Sequence, residues 1–307
     1  MALTKNALTK TSKSKIHAIE RMDCAQIEST HALIDGLFKP IDHKLKRPSF
    51  NIQQKITTKA GNNLTLEWQG IQLDITDQQV LLAILRIVSE KNRQIPQSKI
   101  DNTSLKALSK SFQFEGTKLA TITDTLMANT SLTEICTVAG MSDSGQNIEA
   151  VYQSIHRMQC TRCWVYQETD MNLKKRTELG FSLIAHWGMK EGNAYIGINP
   201  FLSSAILGKM QVTHLDMTHM RSVRGEIGKK LFLWLSAWAS YDRTQTIGLD
   251  KLVGHVWGDS AKDNAALRKR RLRVRTALDG IGKLEGWTIQ PKDTNDAIFN
   301  IRKPKYI

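Results

Sequence analysis

The 307-residue chain contains no run approaching the roughly 18–20 apolar residues that a membrane-spanning helix needs. Its opening segment, MALTKNALTKTSKSK, is rich in Lys, Thr and Ser and lacks the apolar centre of a secretory signal. Only four cysteines occur, Cys24, Cys136, Cys160 and Cys163, too few in a chain this long for a disulfide framework. No basic amphipathic anchor with exposed bulky apolar residues is present either. These absences predict a soluble protein of a reducing compartment, cytoplasmic and without a membrane partner.

Catalytic signatures are equally scarce. "GTK" at Gly116–Lys118 lacks the rest of a phosphate-cradling loop, and there is no HExxH, nucleophile elbow or His-rich relaxase motif. His156, Cys160 and Cys163 are spaced so that a helix end presents all three to a metal. A structural zinc takes four ligands, however, and no CxxC…CxxC partner exists. Small residues packing a helix–strand junction account for them more simply. The expectation is a protein with no catalytic residues, no metal and no cofactor. A DNA-cleaving or strand-transferring enzyme built from dispersed Arg, His and Tyr is the weaker reading, since any basic protein offers those parts.

Positive charge is what the chain has in excess. Lys and Arg number 43 against 29 Asp and Glu, a formal charge of +14. That balance implies a polyanionic partner. The excess is concentrated at the two ends: residues 261–307 carry twelve cations against five acids, and residues 1–60 eleven against five. A localised excess favours a specific basic surface over a general solubility charge.

Composition and periodicity divide the chain into three parts: a basic, loosely ordered arm over residues 1–60, an N-terminal domain over 61–210 and a C-terminal domain over 211–307. In the second part, "NLTLEWQGIQLDI" alternates Leu64, Leu66 and Trp68 around a Gly70 turn, a strand pattern. "TDQQVLLAILRIVSEKN" reads as a helix capped by Thr76 or Asp77, with Val80, Ile84, Ile87 and Val88 at helical spacing. A capped helix (Ser131, Leu132, Ile135, Val138), an Ala139-Gly140 turn and a second helix (Ile148, Val151, Tyr152, Ile155) then form a helix-turn-helix pattern. Strand-like pieces Cys163–Thr169 and Phe181–Trp187 follow, with a basic tip at Lys174, Lys175 and Arg176.

The C-terminal part replays this order. "GEIGKKLFLWLSAWASY" is a strongly apolar helix, "LDKLVGHVW" a short one, and "AALRKRRLRVRTALDGIG" the second of a pair. "GWTIQPKDTNDAIFNIRKP" is a hairpin with a central Asp/Asn turn. Leu132 and Ile135 sit 117 residues before Leu249 and Leu252, while Val151, Ile155 and Trp164 sit 123 before Val274, Leu278 and Trp287. One insertion inside the helix–helix turn reconciles the two offsets. The predicted fold is α+β and predominantly helical, with two tandem winged-helix domains.

Six of the eight residues from Arg268 to Arg275 are cations, yet they lie on a helix rather than in a tail. At about 100° per residue, Leu267, Val274, Leu278 and Ile281 fall within about 60° of one another and form the buried stripe. Arg268 and Arg275 flank it on one side and Lys269 and Arg273 on the other, with Arg270 and Arg271 at its edges. Like charges at this spacing are unfavourable in isolation, and a polyanion on that face removes the penalty and adds counterion release. The second helix of such a pair is also where a major-groove reading helix belongs. Asn264 and Arg268 are the candidates for base edges. Lys229 and Lys230, on the preceding long helix, are placed to hold phosphates or simply to be solvated.

The spans "NAYIGINPFLSSAI", "GLDKLVGHVW" and "LRKRRLRVRTALDGIGKLEGWTI" resemble the replication initiator protein C of IncQ-type plasmids. The likeness is clearest from Asn193 to Ile289, can be followed from Thr117, and does not cover residues 1–60. It implies two winged-helix domains and binding to direct repeats (iterons) in double-stranded plasmid origin DNA. It further implies opening of an adjacent AT-rich region and handover to a plasmid-encoded helicase and primase. The helix 267–280 would be the DNA-reading helix. The chain departs from the pattern in its basic N-terminal arm and in the "SDSGQN" bend, where the following helix carries Arg157 as its one cation. Self-association on DNA is compatible with these features. A transcriptional repressor of the same fold, without origin opening, fits the same residues.

Overall fold

The computed structural model describes residues 23–42, 45–57, 63–91, 125–167, 178–208, 210–295 and 297–305, which form twelve strands and nine helices. The fold is therefore mixed α/β, not predominantly helical as the periodicity suggests. Most of the additional strands are only four to six residues long, too short to leave a clear period in the sequence.

β1 (Cys24–Glu28) runs directly into the short α1 (Ser29–Leu33). The Glu28 carboxylate fixes that junction by accepting from the Thr30 and His31 amides and lying 2.7 Å from His31 Nδ1. β2 (Ser49–Thr57) pairs antiparallel with β3 (Asn63–Ile71) along its whole length. Residues 24–42 and 45–57 thus belong to the folded body, which corrects the expected arm of residues 1–60 over those spans. Ala25, Ile27, Ile34, Leu37 and Phe38 are fully buried there, apolar anchors too scattered to show a period. Residues 1–22 lie outside the described residues.

On β3 the predicted alternation holds, with Leu64, Leu66 and Trp68 buried. Gly70 is not at a turn but inside the strand. A Cβ there would stand 2.9 Å from the Thr161 hydroxyl, so glycine lets two backbones approach. α2 (Ile75–Lys91) starts slightly earlier than its expected caps. Asp74 and Asp77 each accept the other's amide at 2.9 Å, a reciprocal cap. Every residue from Val80 to Leu85 is buried, making this helix the central rod of the N-terminal half.

β4 (Met127–Thr130), α3 (Leu132–Ala139) and α4 (Gly145–Cys160) follow. Ser131 caps α3 by accepting the Glu134 amide at 3.0 Å, and Gly140 closes it in the left-handed region at φ 76°. β5 (Arg162–Gln167) pairs with β3 and with β6 (Glu178–Ser182), so that sheet runs β2-β3-β5-β6. The expected strand Phe181–Trp187 is split. At Leu183 the chain changes sheets, and β7 (Ile184–Lys190) pairs with β8 (Asn193–Ile198), which also receives β4. α5 (Pro200–Ile206) completes this half, capped by Asn199.

β9 (Val212–Asp216) and α6 (Met217–Ser222) lead to α7 (Glu226–Trp238), whose run from Lys230 to Ser236 is buried on every side. β10 (Thr244–Gly248), α8 (Leu249–Trp257), α9 (Asn264–Ile281), β11 (Thr288–Pro291) and β12 (Ile298–Arg302) close the chain, with sheet order β10-β12-β11. The order α7-β10-α8-α9-β11-β12 repeats α2-β4-α3-α4-β5-β6. Val151 and Ile155 of the first copy and Val274 and Leu278 of the second are all fully buried. The copies differ in their sheets: β10 joins its own hairpin, whereas β4 joins β8 and β5 joins β3.

The halves share one apolar core and are cross-linked by β1 pairing antiparallel with β9, from Cys24↔Asp216 to Glu28↔Val212. No helix among the described residues is long and apolar enough to cross a membrane.

Candidate nucleic-acid interface

α8 and α9 form the C-terminal helix–turn–helix. Gly258 ends α8 at φ 68°, and the Asp263 carboxylate caps α9 by accepting the Ala266 amide at 2.7 Å. Val274, Leu278 and Ile281 of α9 are fully buried and Leu267 partly so, the stripe that the wheel predicts. The cations around that stripe fall into two groups.

The edge arginines are held by acids. Arg271 grips Asp250 of α8 through two bonds of 2.6 and 2.7 Å. That guanidinium holds the Asp250 carboxyl below its ordinary range. Arg270 bonds Asp259 Oδ1 at 2.8 Å and its backbone carbonyl at 2.9 Å, with its guanidinium 5.0 Å from the Trp257 ring. Arg275 donates to the Asn295 carbonyl at 3.2 Å, tying the helix to the β11–β12 loop. These three brace the α8–α9 helix pair itself.

The outer residues are different. Arg268, Lys269 and Arg273 are exposed and form no ion pair among the described residues. Between them lies Leu272, 63% exposed, with Thr276 one turn on. Asn264 is exposed at the first turn. The free face is thus a cationic rim around a small apolar centre. Sequence reasoning missed Leu272 and Thr276, although Leu272 lies opposite the buried stripe on the same wheel. A groove of about 750 Å³ runs beside this face, lined by Arg224, Ile227, Leu272, Arg273, Thr276 and Lys283 among others.

Of the two lysines assigned to α7, Lys230 is corrected. It is 1% exposed, and its Nζ donates to the Ile34 carbonyl at 3.2 Å. Loss of hydration lowers its pKa to about 8. It cannot reach a phosphate, because α7 has no polar face at that level. Lys229 is half-buried, and burial lowers its pKa as well. Lys174, Lys175 and Arg176 lie outside the described residues.

The N-terminal pair, α3 and α4, presents no such face. Arg157 reaches inward, its Nη2 2.7 Å from Asp77 Oδ1, and Arg47 approaches the same carboxylate at 3.4 Å. Burial still raises the Asp77 pKa despite those partners. The exposed side of α4 carries Gln146, Glu149 and Gln153, with Gln153 donating to Glu149 at 2.8 Å. The spaced trio does not converge. His156 packs edge-on between Tyr152 and Trp187 at 4.7 and 4.8 Å, Cys160 is exposed and Cys163 is buried. No group of three His, Cys, Asp or Glu side chains among the described residues is placed to hold a metal.

A family model described as Replication protein C (RepC) matches residues 19–305. Two solved structures share the fold. One, a selenomethionine derivative of domains 2 and 3 of RctB, has a TM-score of 0.57 at 12% identity, covering 89% of this chain and 97% of that one. The other, RctB domains 2-3, has a TM-score of 0.52 at 13% identity with the same coverage. None of the curated proteins matches the chain.

Proposed function

The chain belongs to the Replication protein C (RepC) family, and from that premise we propose that it is a plasmid replication initiator that binds direct repeats in double-stranded origin DNA. The observation that carries this reading is the outer face of α9: three exposed cations with no ion pair among the described residues, around Leu272 and Thr276, on the second helix of a helix–turn–helix with an antiparallel hairpin behind it. We read both repeats of the element order as winged-helix units, the C-terminal one as the principal reader.

In this reading α9 enters the major groove. Arg268 and Asn264 meet base edges, Lys269 and Arg273 meet phosphates, and Leu272 meets a thymine methyl. Arg270, Arg271 and Arg275 keep the helix aligned with its turn and hairpin rather than touching DNA. Affinity then comes largely from counterion release, and the geometry of the outer face supplies selection. Bound repeats position the protein beside an AT-rich segment, which opens and is handed to a helicase and a primase. The protein acts by binding in the cytoplasm and breaks no covalent bond.

Titration against duplexes carrying the origin repeats and against random duplexes, over a salt series, tests the binding. Strong preference for the repeats with a steep salt dependence is expected. Equal affinity for both DNAs would reduce α9 to an electrostatic grip and sink the reading. Permanganate reactivity of AT-rich thymines in the bound complex tests the opening step; unreactive thymines would leave a repressor.

A further inference from the structure

We propose that the β1–β9 ladder and the two clamps it carries form a built-in spacer, fixing the distance and rotational phase between the two helix–turn–helix units so that only sites of one spacing are bound. The inference rests on the reading that both units face the same DNA.

Each turn is closed from outside by a segment belonging to the other half. At the N-terminal turn the stem of Arg221, on α6, lies against Gly140: a Cβ on that glycine would stand 2.8 Å from Arg221 Cγ. Arg221 also donates to the Val138 carbonyl at 3.3 Å and to the Asp23 carboxylate. Asp23, immediately before β1, accepts from Arg86 of α2 at 2.7 Å, and its carbonyl accepts the Met217 amide at 2.8 Å. The clamp therefore begins where β1 and β9 meet.

At the C-terminal turn the segment following α1 performs the same task. Gly258 packs backbone to backbone on Gly36, so close that a Cβ would stand 2.7 Å from Gly36 Cα. Around that contact Asp35 pairs with His255 at 2.8 Å and Lys39 with Asp259 at 3.3 Å. Asp259 in turn holds Arg270 of the reading helix at 2.8 Å. The segment is anchored on its other side to the N-terminal half. Gln72 donates to the Gly36 and Leu37 carbonyls at 2.9 and 3.3 Å, and the Lys39 amide donates to the Leu73 carbonyl at 3.2 Å.

Both clamps seat on the left-handed glycine that closes the first helix of a pair, the point from which the second helix takes its direction. A close-packed backbone contact deforms less readily than exposed ion pairs, which are individually weak. The two reading helices are thus coupled through a short, stiff path rather than a tether.

The test uses the full chain and a duplex bearing one origin repeat. It is compared with duplexes lengthened by about half a helical turn, roughly five base pairs, between the two tracts that the wild type protects from hydroxyl radicals. For the wild type the insertion should lower affinity about 100-fold, because a rigid pair cannot engage both tracts. Arg221→Ala removes the stem packed on Gly140 and the bonds to the Val138 carbonyl and Asp23, and its penalty should fall below about ten-fold. Its affinity for a duplex bearing only the C-terminal unit's tract should be unchanged. Asp35→Asn with Lys39→Gln, which spares the glycines, should move the penalty the same way by less, and thermal melting establishes that each variant folds. A variant retaining the full penalty overturns the spacer, as does loss of binding to the single tract. A wild type protecting one tract, or indifferent to the insertion, removes the two-unit reading and the spacer with it.

Discussion

Removing one free cation from α9 should change the salt dependence of DNA binding, whereas removing a paired one together with its acid should not. Lys269 is exposed with no ion pair among the described residues, while Arg271 is held by Asp250 at 2.6 Å. Each phosphate contact contributes about 0.9 to the slope of log K against log salt. Lys269→Gln should therefore shrink the wild-type advantage about 3.5-fold between roughly 50 and 200 mM salt. The double variant Asp250→Asn, Arg271→Gln deletes a neutral pair and should leave the slope where it was. Fluorescence anisotropy on an origin-repeat duplex reads both. If the double variant flattened the slope as much as Lys269→Gln, Arg271 would leave Asp250 to meet DNA, and sorting cations by their partners would be wrong.

Leu272→Asn should leave melting unchanged, since the side chain is 63% exposed, but remove discrimination between thymine and deoxyuridine at the contacted base. One methyl is worth about 0.8 kcal/mol, roughly four-fold, so a wild type indifferent to that replacement refutes the contact. Arg157→Ala strips the closest partner from buried Asp77 and should cost about 3 kcal/mol in urea denaturation with no change in salt slope; a changed slope would put Arg157 on DNA. Lys230→Met concerns pH. The folded pKa, about 8, lies below the ordinary 10.5, so between those values the unfolded chain binds the extra proton and stability rises with pH. The variant should accordingly be the more stable by zero to about 3 kcal/mol at pH 7, once the lost bond to the Ile34 carbonyl is offset. That difference should move against the variant as the pH rises from 8 to 10.5; a difference independent of pH contradicts the burial argument.

What the sequence reveals is local. Ser131 and Gly140 bracket α3 because a cap and a left-handed stop need only their own neighbours. The stripe Val274, Leu278, Ile281 is legible because helical period and burial coincide on α9. The strands that set the architecture are not local. "CAQIE" and "VTHLD" pair across more than half of the chain, each with two or three apolar residues, and neither has a hairpin turn to betray it. Lys230 misleads for a related reason. Its place beside Lys229 suggests a polar face, but the unbroken apolar run from Leu231 to Leu235 already signals a helix buried all round.

The two units share an element order and differ in where their cations point. In the N-terminal half Arg47, Arg86 and Arg157 each pair with Asp74, Asp23 or Asp77, so those arginines work inside the protein. In the C-terminal half Arg268, Lys269 and Arg273 of α9 are exposed and form no ion pair among the described residues. α4 can therefore add little counterion release, and what it offers DNA is the amides of Gln146 and Gln153, which suit hydrogen bonding to base edges. If one unit grips and the other selects, the pair is asymmetric by construction. An asymmetric pair on one chain matches a site without a two-fold axis, and copies of such a site repeat head to tail. On the proposed reading this charge distribution suits direct repeats, whereas a palindrome would call for two chains related by symmetry.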